Sequence, residues 1–224
     1  MTSPLDRPVW HALSTLQVSF AEGTGRARCF ARDISLLAAT ADDTPEAMMD
    51  LGALIEPGGA VVLLQTDPSP VPPGAVAEVA AGVQLVADSI VEPSEIADVV
   101  DLTDADASDM FALARLARPG PFESRTHTLG GFVGIREHGR LVAMAGERLR
   151  LPGYTEVSGV CTHPEARGRG YATLLSRVVT SRIAGCGDTA FLHVFAANHA
   201  AIRLYEKLGF RLRAPIVVTI LRRL

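Results

Sequence analysis

The 224-residue chain is 48% hydrophobic, ample for a packed core in one large domain or two small ones. No apolar run approaches the ~18 residues that span a bilayer, and Met1–Phe20 lacks the basic start and apolar core of a secretion signal. A net charge of −4 with no basic stripe interleaved with aromatics argues against a nucleic-acid partner, and the scattered Cys29, Cys161 and Cys186 are too few for a disulfide framework or a zinc site, which suggests reduced thiols in a cytoplasmic, metal-free protein.

In chain order, a short helix is expected around Trp10–Leu13 and a strand over Ala27–Ile34. Thr44 followed by Pro45 is an N-cap with proline in the first helical turn, opening a helix to about Ile55. Glu56-Pro57-Gly58-Gly59 is a turn and Ala60–Leu64 a buried strand. Prolines at 68, 70, 72 and 73 make Asp67–Gly74 a loop, and Val83–Val86 is a further strand. This mixed α/β first part holds no chemical motif, and the composition places a boundary near Glu92-Pro93.

From Val99 the pattern is more regular. Asp104–Arg118 reads as an amphipathic helix stopped by Pro119-Gly120-Pro121. Gly131–Arg136 and Leu141–Leu149 form an antiparallel hairpin about His138-Gly139. Thr155–Thr162 is the next strand; a helix with Tyr171, Leu174, Leu175 and Val178 on one face follows Gly170. Ala190–Ala196 is a strand, Asn198 caps a helix ending at Gly209, and Phe210–Arg213 and Ile216–Leu221 are the last strands.

The informative stretch is Val160-Cys161-Thr162-His163-Pro164-Glu165-Ala166-Arg167-Gly168-Arg169-Gly170-Tyr171-Ala172. A strand, a glycine loop and a helix N-terminus in that order make an anion site, where free N–H groups and the positive helix end act together. A P-loop would need Gly-Lys-Ser/Thr, but Tyr171 and Ala172 follow Gly170 and the only lysine is Lys207. A dinucleotide fingerprint has Gly168 and Gly170, with Thr173 in the third small position and Asp188 at about the right distance for its acid, but the intervening geometry is poor. Charge agrees with an anionic ligand: residues 1–120 carry 18 acids and 6 bases, residues 121–224 carry 7 acids and 15 bases.

Arg167–Ala172 fits R/Q-x-x-G-x-G/A, and Asn198-His199-Ala200-Ala201-Ile202-Arg203-Leu204-Tyr205-Glu206-Lys207-Leu208-Gly209-Phe210 fits N-x-x-A-x-x-L-Y-x-K-x-G-F. The two motifs, in this order, resemble those of the GCN5-related N-acetyltransferase (GNAT) superfamily. Gly120-Pro121-Phe122, Gly134–Glu137 and Met144–Glu147 resemble its FR47-like group. The resemblance implies an α/β (α+β) fold with a mixed, mostly antiparallel sheet flanked by helices. It implies a catalytic domain over residues 96–224 and a degenerate α/β partner over 1–95.

It also implies transfer of an acetyl group from acetyl-CoA to a primary amine by direct attack, the alternative being a non-catalytic acyl-CoA-binding module. Arg167, Gly168, Arg169, Gly170, Tyr171 and Ala172 would hold the coenzyme A pyrophosphate. Val160, Cys161 and Thr162 would pair with the pantetheine arm, Asn198 would touch it, and Tyr205 would protonate the thiolate. Glu156, in the middle of an apolar strand and on the face of residues 158 and 160, would take the amine proton, with Glu147 as competitor. Phe122, Thr126 and Glu147 would meet the acceptor, a small-molecule or peptide amine, for which the acidic first half hints at a cation. His163 and His193 are weaker base candidates, and the oligomeric state stays open, a homodimer included.

Overall fold

The computed structural model describes residues 3–92 and 98–223. A small antiparallel sheet joins β1 (Ala21–Glu22), β2 (Ala27–Phe30) and β3 (Ala38–Thr40). The large sheet has eight strands: β4 (Ala60–Gln65), β5 (Ala75–Ala87), β6 (Val99–Leu102), β7 (Phe132–Glu137), β8 (Arg140–Leu151), β9 (Tyr154–Thr162), β10 (Thr189–Phe195) and β11 (Phe210–Arg223). Their spatial order is β4-β11-β5-β10-β9-β8-β7-β6, antiparallel except for β9 against β10. This is the mixed, mostly antiparallel sheet expected.

The expected boundary near residues 92–96 falls at and within the segment outside the described residues. Strands on both sides of it share one sheet, because β4 and β5 both pair with β11. β5 is far longer than the Val83–Val86 expected. Its outer half pairs only with β11 and leaves Val76 and Val79 exposed at 44% and 63%, so no apolar alternation marks it. The two strands expected at the end are one, β11, with a bulge between Leu212 and Ala214.

Among the described residues five α-helices dress the sheets: α1 (Pro8–Ser14), α2 (Pro45–Leu54), α3 (Ala107–Ala117), α4 (Tyr171–Gly185) and α5 (His199–Lys207). The Thr44 hydroxyl accepts from the Ala47 N–H, as its N-cap position demands. α4 buries Leu175, Val178, Val179 and Ile183 against Val133, Ala145, Val157 and Leu192, each side chain worth ~1.5–3 kcal/mol. On the opposite face α3 sets Met110 and Leu113 against Met144 and Cys161, while α1 sets Val9 and Leu13 among Leu149, Phe191 and Ile216.

Two bulges shape the middle of the sheet. Between the pairs Met144↔Cys161 and Gly146↔Ser158, β9 has one residue more than β8; between Glu147↔Val157 and Arg150↔Thr155, β8 has the extra one. The first bulge centres on Gly159, whose φ of +65° suits glycine. It shifts the alternation of β9, so Val157 and Val160 both pack toward α4 while Cys161 packs toward α3. Glu156 and Val160 therefore do not share a face, contrary to the sequence reading of a regular strand.

The ring of Phe132 occupies the space left by two glycines. A Cβ at Gly146 would come within 2.4 Å of it and one at Gly159 within 2.9 Å. Gly146→Ala should thus overpack this layer and lower stability by about 1–3 kcal/mol, read as a lower urea midpoint with an unchanged m-value.

Candidate active site

The sequence-identified loop ends β9. After His163 comes a 3-10 turn over Pro164–Ala166, then Gly168 and Gly170 at φ +79° and +82°. Nothing lies within 4 Å of a Cβ built on either glycine, so the space above them is open. Gly170 is the N-cap of α4 and offers no side-chain acceptor, which leaves the positive end of this 15-residue helix uncapped toward that space. The Arg169 guanidinium and the Tyr171 hydroxyl both donate to Glu137 of β7 at 2.6 Å. Those two side chains moor the loop, and its anion-binding capacity rests on backbone groups and on the exposed Arg167. An open, uncapped glycine cradle fits a pyrophosphate.

β9 and β10 pair only over Tyr154–Glu156 and Thr189–Phe191. Beyond Glu156 the strands part, and the edge of β9 through Val160 is free of β10. A cleft of about 360 Å³ opens there, with Ser158, Gly159 and Val160 on one side and Asn198, Ala201 and Tyr205 of α5 on the other. The Asn198 side chain caps α5 by accepting from the Ala201 N–H at 3.1 Å. Tyr205 packs edge-on to Phe210, and burial pushes its phenol up to about 12, so it stays protonated at neutral pH.

The cleft floor holds a buried charge network that the sequence reading resolved only in part. Arg148 of β8 donates to both Glu156 oxygens, Nε to Oε2 at 2.8 Å and Nη2 to Oε1 at 2.7 Å. Burial alone would raise the Glu156 carboxyl, but the Arg148 charge and its hydrogen bonds, helped by His193, outweigh that and hold it at about 2. Gln17 braces the β8 bulge that sets Arg148: its Nε2 donates to the Arg148 carbonyl at 2.7 Å and its Oε1 accepts from the Arg150 N–H at 3.2 Å.

His193 of β10 lies 2.7 Å through Nδ1 from Glu156 Oε1 and 2.9 Å through Nε2 from Gln84 Nε2. Gln84 is oriented from behind, since its Oε1 accepts from Arg213 at 2.9 Å and its Nε2 donates to the Leu5 carbonyl at 3.0 Å. The amide thus presents an N–H to His193 Nε2, which fixes that nitrogen as acceptor and Nδ1 as the N–H donor to Glu156. Glu156, expected as a free base, instead has three hydrogen bonds and a strongly lowered pKa, which make it a poor resting proton acceptor.

The other expected residues lie apart from the cleft. Phe122 is buried edge-on against Phe132 beneath α3. The Thr126 hydroxyl donates to the Ile34 carbonyl at 2.6 Å and accepts from the Glu123 N–H at 2.7 Å. Glu147 is half-buried against Gly130, and none of the three lines the cleft. The Cys161 thiol, pushed up to about 12 by burial, is turned toward α3 and is no nucleophile. His163 is locked between Arg140 and the Glu165 N–H. Among the described residues no group of side chains is arranged to hold a metal.

Arg148→Ala should cost about 3–5 kcal/mol at neutral pH by leaving the Glu156 carboxylate buried and unpaired. The Glu156 carboxyl is depressed from 4.5 to about 2, so the stability it contributes is full above pH 4.5 and is lost as pH falls toward 2. Urea unfolding at pH 7 and pH 3 should show the gap between wild type and variant narrowing at the lower pH.

Residues 132–218 match the family model described as FR47-like protein. Over 112 residues the chain is 37% identical to the mycothiol acetyltransferase of Mycobacteroides abscessus, a stretch that is 48% of this chain and 34% of that protein, so the match spans about a third of that relative's length. A GCN5-related N-acetyltransferase from Kribbella flavida shares the fold at TM-score 0.66 and 20% identity, over 96% of this chain and 95% of that one. A crystal structure assigned to the GNAT family of acetyltransferases, from Novosphingobium aromaticivorans DSM 12444, superposes over 100% of both chains at 40% identity and TM-score 0.94. With that agreement over its whole length, the chain belongs to the GNAT family of acetyltransferases.

Proposed function

We propose that the protein transfers an acetyl group from acetyl-CoA to a primary amine by direct attack. The observation that carries this reading is the β9 edge left free beyond Glu156, which has Val160 opposite Tyr205 in the cleft and leads at its end into the open Gly168–Gly170 loop. Backbone N–H groups of Arg167–Ala172 and the positive end of α4 hold the pyrophosphate. Val160 and Thr162 pair through their backbones with the pantetheine arm as a strand would, beside Cys161 and the exposed Asn198. A free β9 N–H near Val160 stabilises charge developing on the thioester oxygen, as an oxyanion hole does.

The amine nitrogen attacks the carbonyl carbon, the C–S bond breaks, and Tyr205 gives its phenolic proton to the departing sulfur. One ammonium proton leaves to solvent before the attack, and the second proton that the nitrogen sheds restores the Tyr205 phenol. Glu156 assists through its fixed negative charge and by orienting His193, rather than as the resting base. The placement of the Tyr205 phenol across the cleft from Val160 on the free edge favours an enzyme over a binding module that has lost turnover. The free thiols Cys29, Cys161 and Cys186 accord with a reducing, cytoplasmic setting. Among the described residues no helix is long and apolar enough to cross a membrane.

Tyr205→Phe should bind acetyl-CoA as wild type does in isothermal titration yet lose about 10²–10⁴-fold in kcat, the usual worth of a positioned acid. Unchanged turnover would remove Tyr205 from the acid's role, and absence of any acetyl-CoA binding by wild type would overturn the whole reading.

A further inference from the structure

The first half of the chain carries no motif, yet it builds one wall of the cleft. Leu37, Val62 and Leu64 line it together with Ile216, Val218 and Ile220 of β11, Val62 side by side with Ile220 and Leu64 with Val218 on the paired strands. All but Ile220 are buried, so this end is a preformed aliphatic chamber rather than a solvated groove. Glu156 is the one acid among the described residues that line the cleft, and Arg148 neutralises it. Of the groups facing His193, Glu156 and Gln84 fill its two ring nitrogens, and behind them Arg213 pairs with Asp6. The exposed Arg118, which also lines the cleft, adds positive charge. Among the described residues, no acid of the first 120 lines it.

We infer that the acceptor is a small primary amine with one positive charge on an aliphatic or aromatic body, and that the motif-poor first half selects it. The inference rests on the acetyl-transfer reading. It narrows the cationic acceptor that the acidic first half suggests to one carrying a single charge. A second or third ammonium would enter a low-dielectric chamber that offers no free carboxylate and carries an extra guanidinium, and desolvating a charge without a partner is strongly unfavourable. An apolar body gains by burial instead, about fourfold in affinity per methylene, the equivalent of ~0.8 kcal/mol.

The test uses wild-type protein at saturating acetyl-CoA, reading free thiol with propylamine through hexylamine, a phenylalkylamine and the linear polyamine spermidine. The expected result is a kcat/KM that climbs about fourfold per methylene until the chamber is full, with spermidine far below hexylamine. Ile220→Ala and Val62→Ala should flatten that climb, and the wild-type series decides alone if either fails to fold. A flat series, spermidine as the better acceptor, or no transfer to any of these amines while calorimetry shows acetyl-CoA bound would each overturn the inference and leave the cofactor assignment standing. Loss of acetyl-CoA binding itself would overturn the reading beneath it.

Discussion

Everything at the site depends on two parallel strands that stop pairing. β9 and β10 exchange backbone hydrogen bonds as far as Glu156 and then separate. Buried N–H and C=O groups left unpaired are costly, so a free strand edge inside a protein calls for a partner. The Gly159 bulge and the Phe132 ring beside it hold β9 in this course. α5 props the far side of the gap with Tyr205. The glycine cradle lies at the end of the same strand, so one extended ligand can satisfy both.

The charge network beneath the gap follows a different logic. Arg148, Glu156 and His193 are all nearly inaccessible, and each is fully engaged by its neighbours. A buried ion pair adds little net stability, but removing one partner is severe. The contribution here is geometric. Gln84 dictates which nitrogen of His193 carries the proton, and Gln17, from outside the large sheet, dictates the path of β8 on which Arg148 sits. The polar floor of the cleft is therefore set by residues of the first half of the chain.

The glycine loop and the capped helix α5 were legible in the sequence because their determinants are local. Gly168, Gly170, Asn198 and Tyr205 lie in two short runs whose spacing alone specifies a loop, a cap and a helix face. The aliphatic side of the cleft was not, because it is assembled from Leu37, Val62, Leu64, Ile216 and Val218, which read like any other core aliphatics. Arg148 and Glu156 meet across a hairpin with a bulge in each strand, and counting alternate residues through Gly159 puts Val160 on the wrong face. Phe122 and Thr126 fit the family pattern but serve packing and a loop hydrogen bond. The outer half of β5 escaped because Val76 and Val79 face solvent and its neighbours are alanine.

The placement of β11 between β4 and β5 has a consequence for how the chain acquires its shape. Ala87 pairs with Phe210 and Ala75 with Arg223, and β4 pairs with the same strand, so neither early strand finds this neighbour until residues 210–223 have been synthesised. Contacts this distant in sequence close loops at high entropic cost and slow folding. Until β11 inserts, β4 and β5 present unfilled edges, one of them nearly without charge, to whatever is nearby. In the interval between translation of residue 87 and residue 210 these open edges are templates on which a second chain can pair.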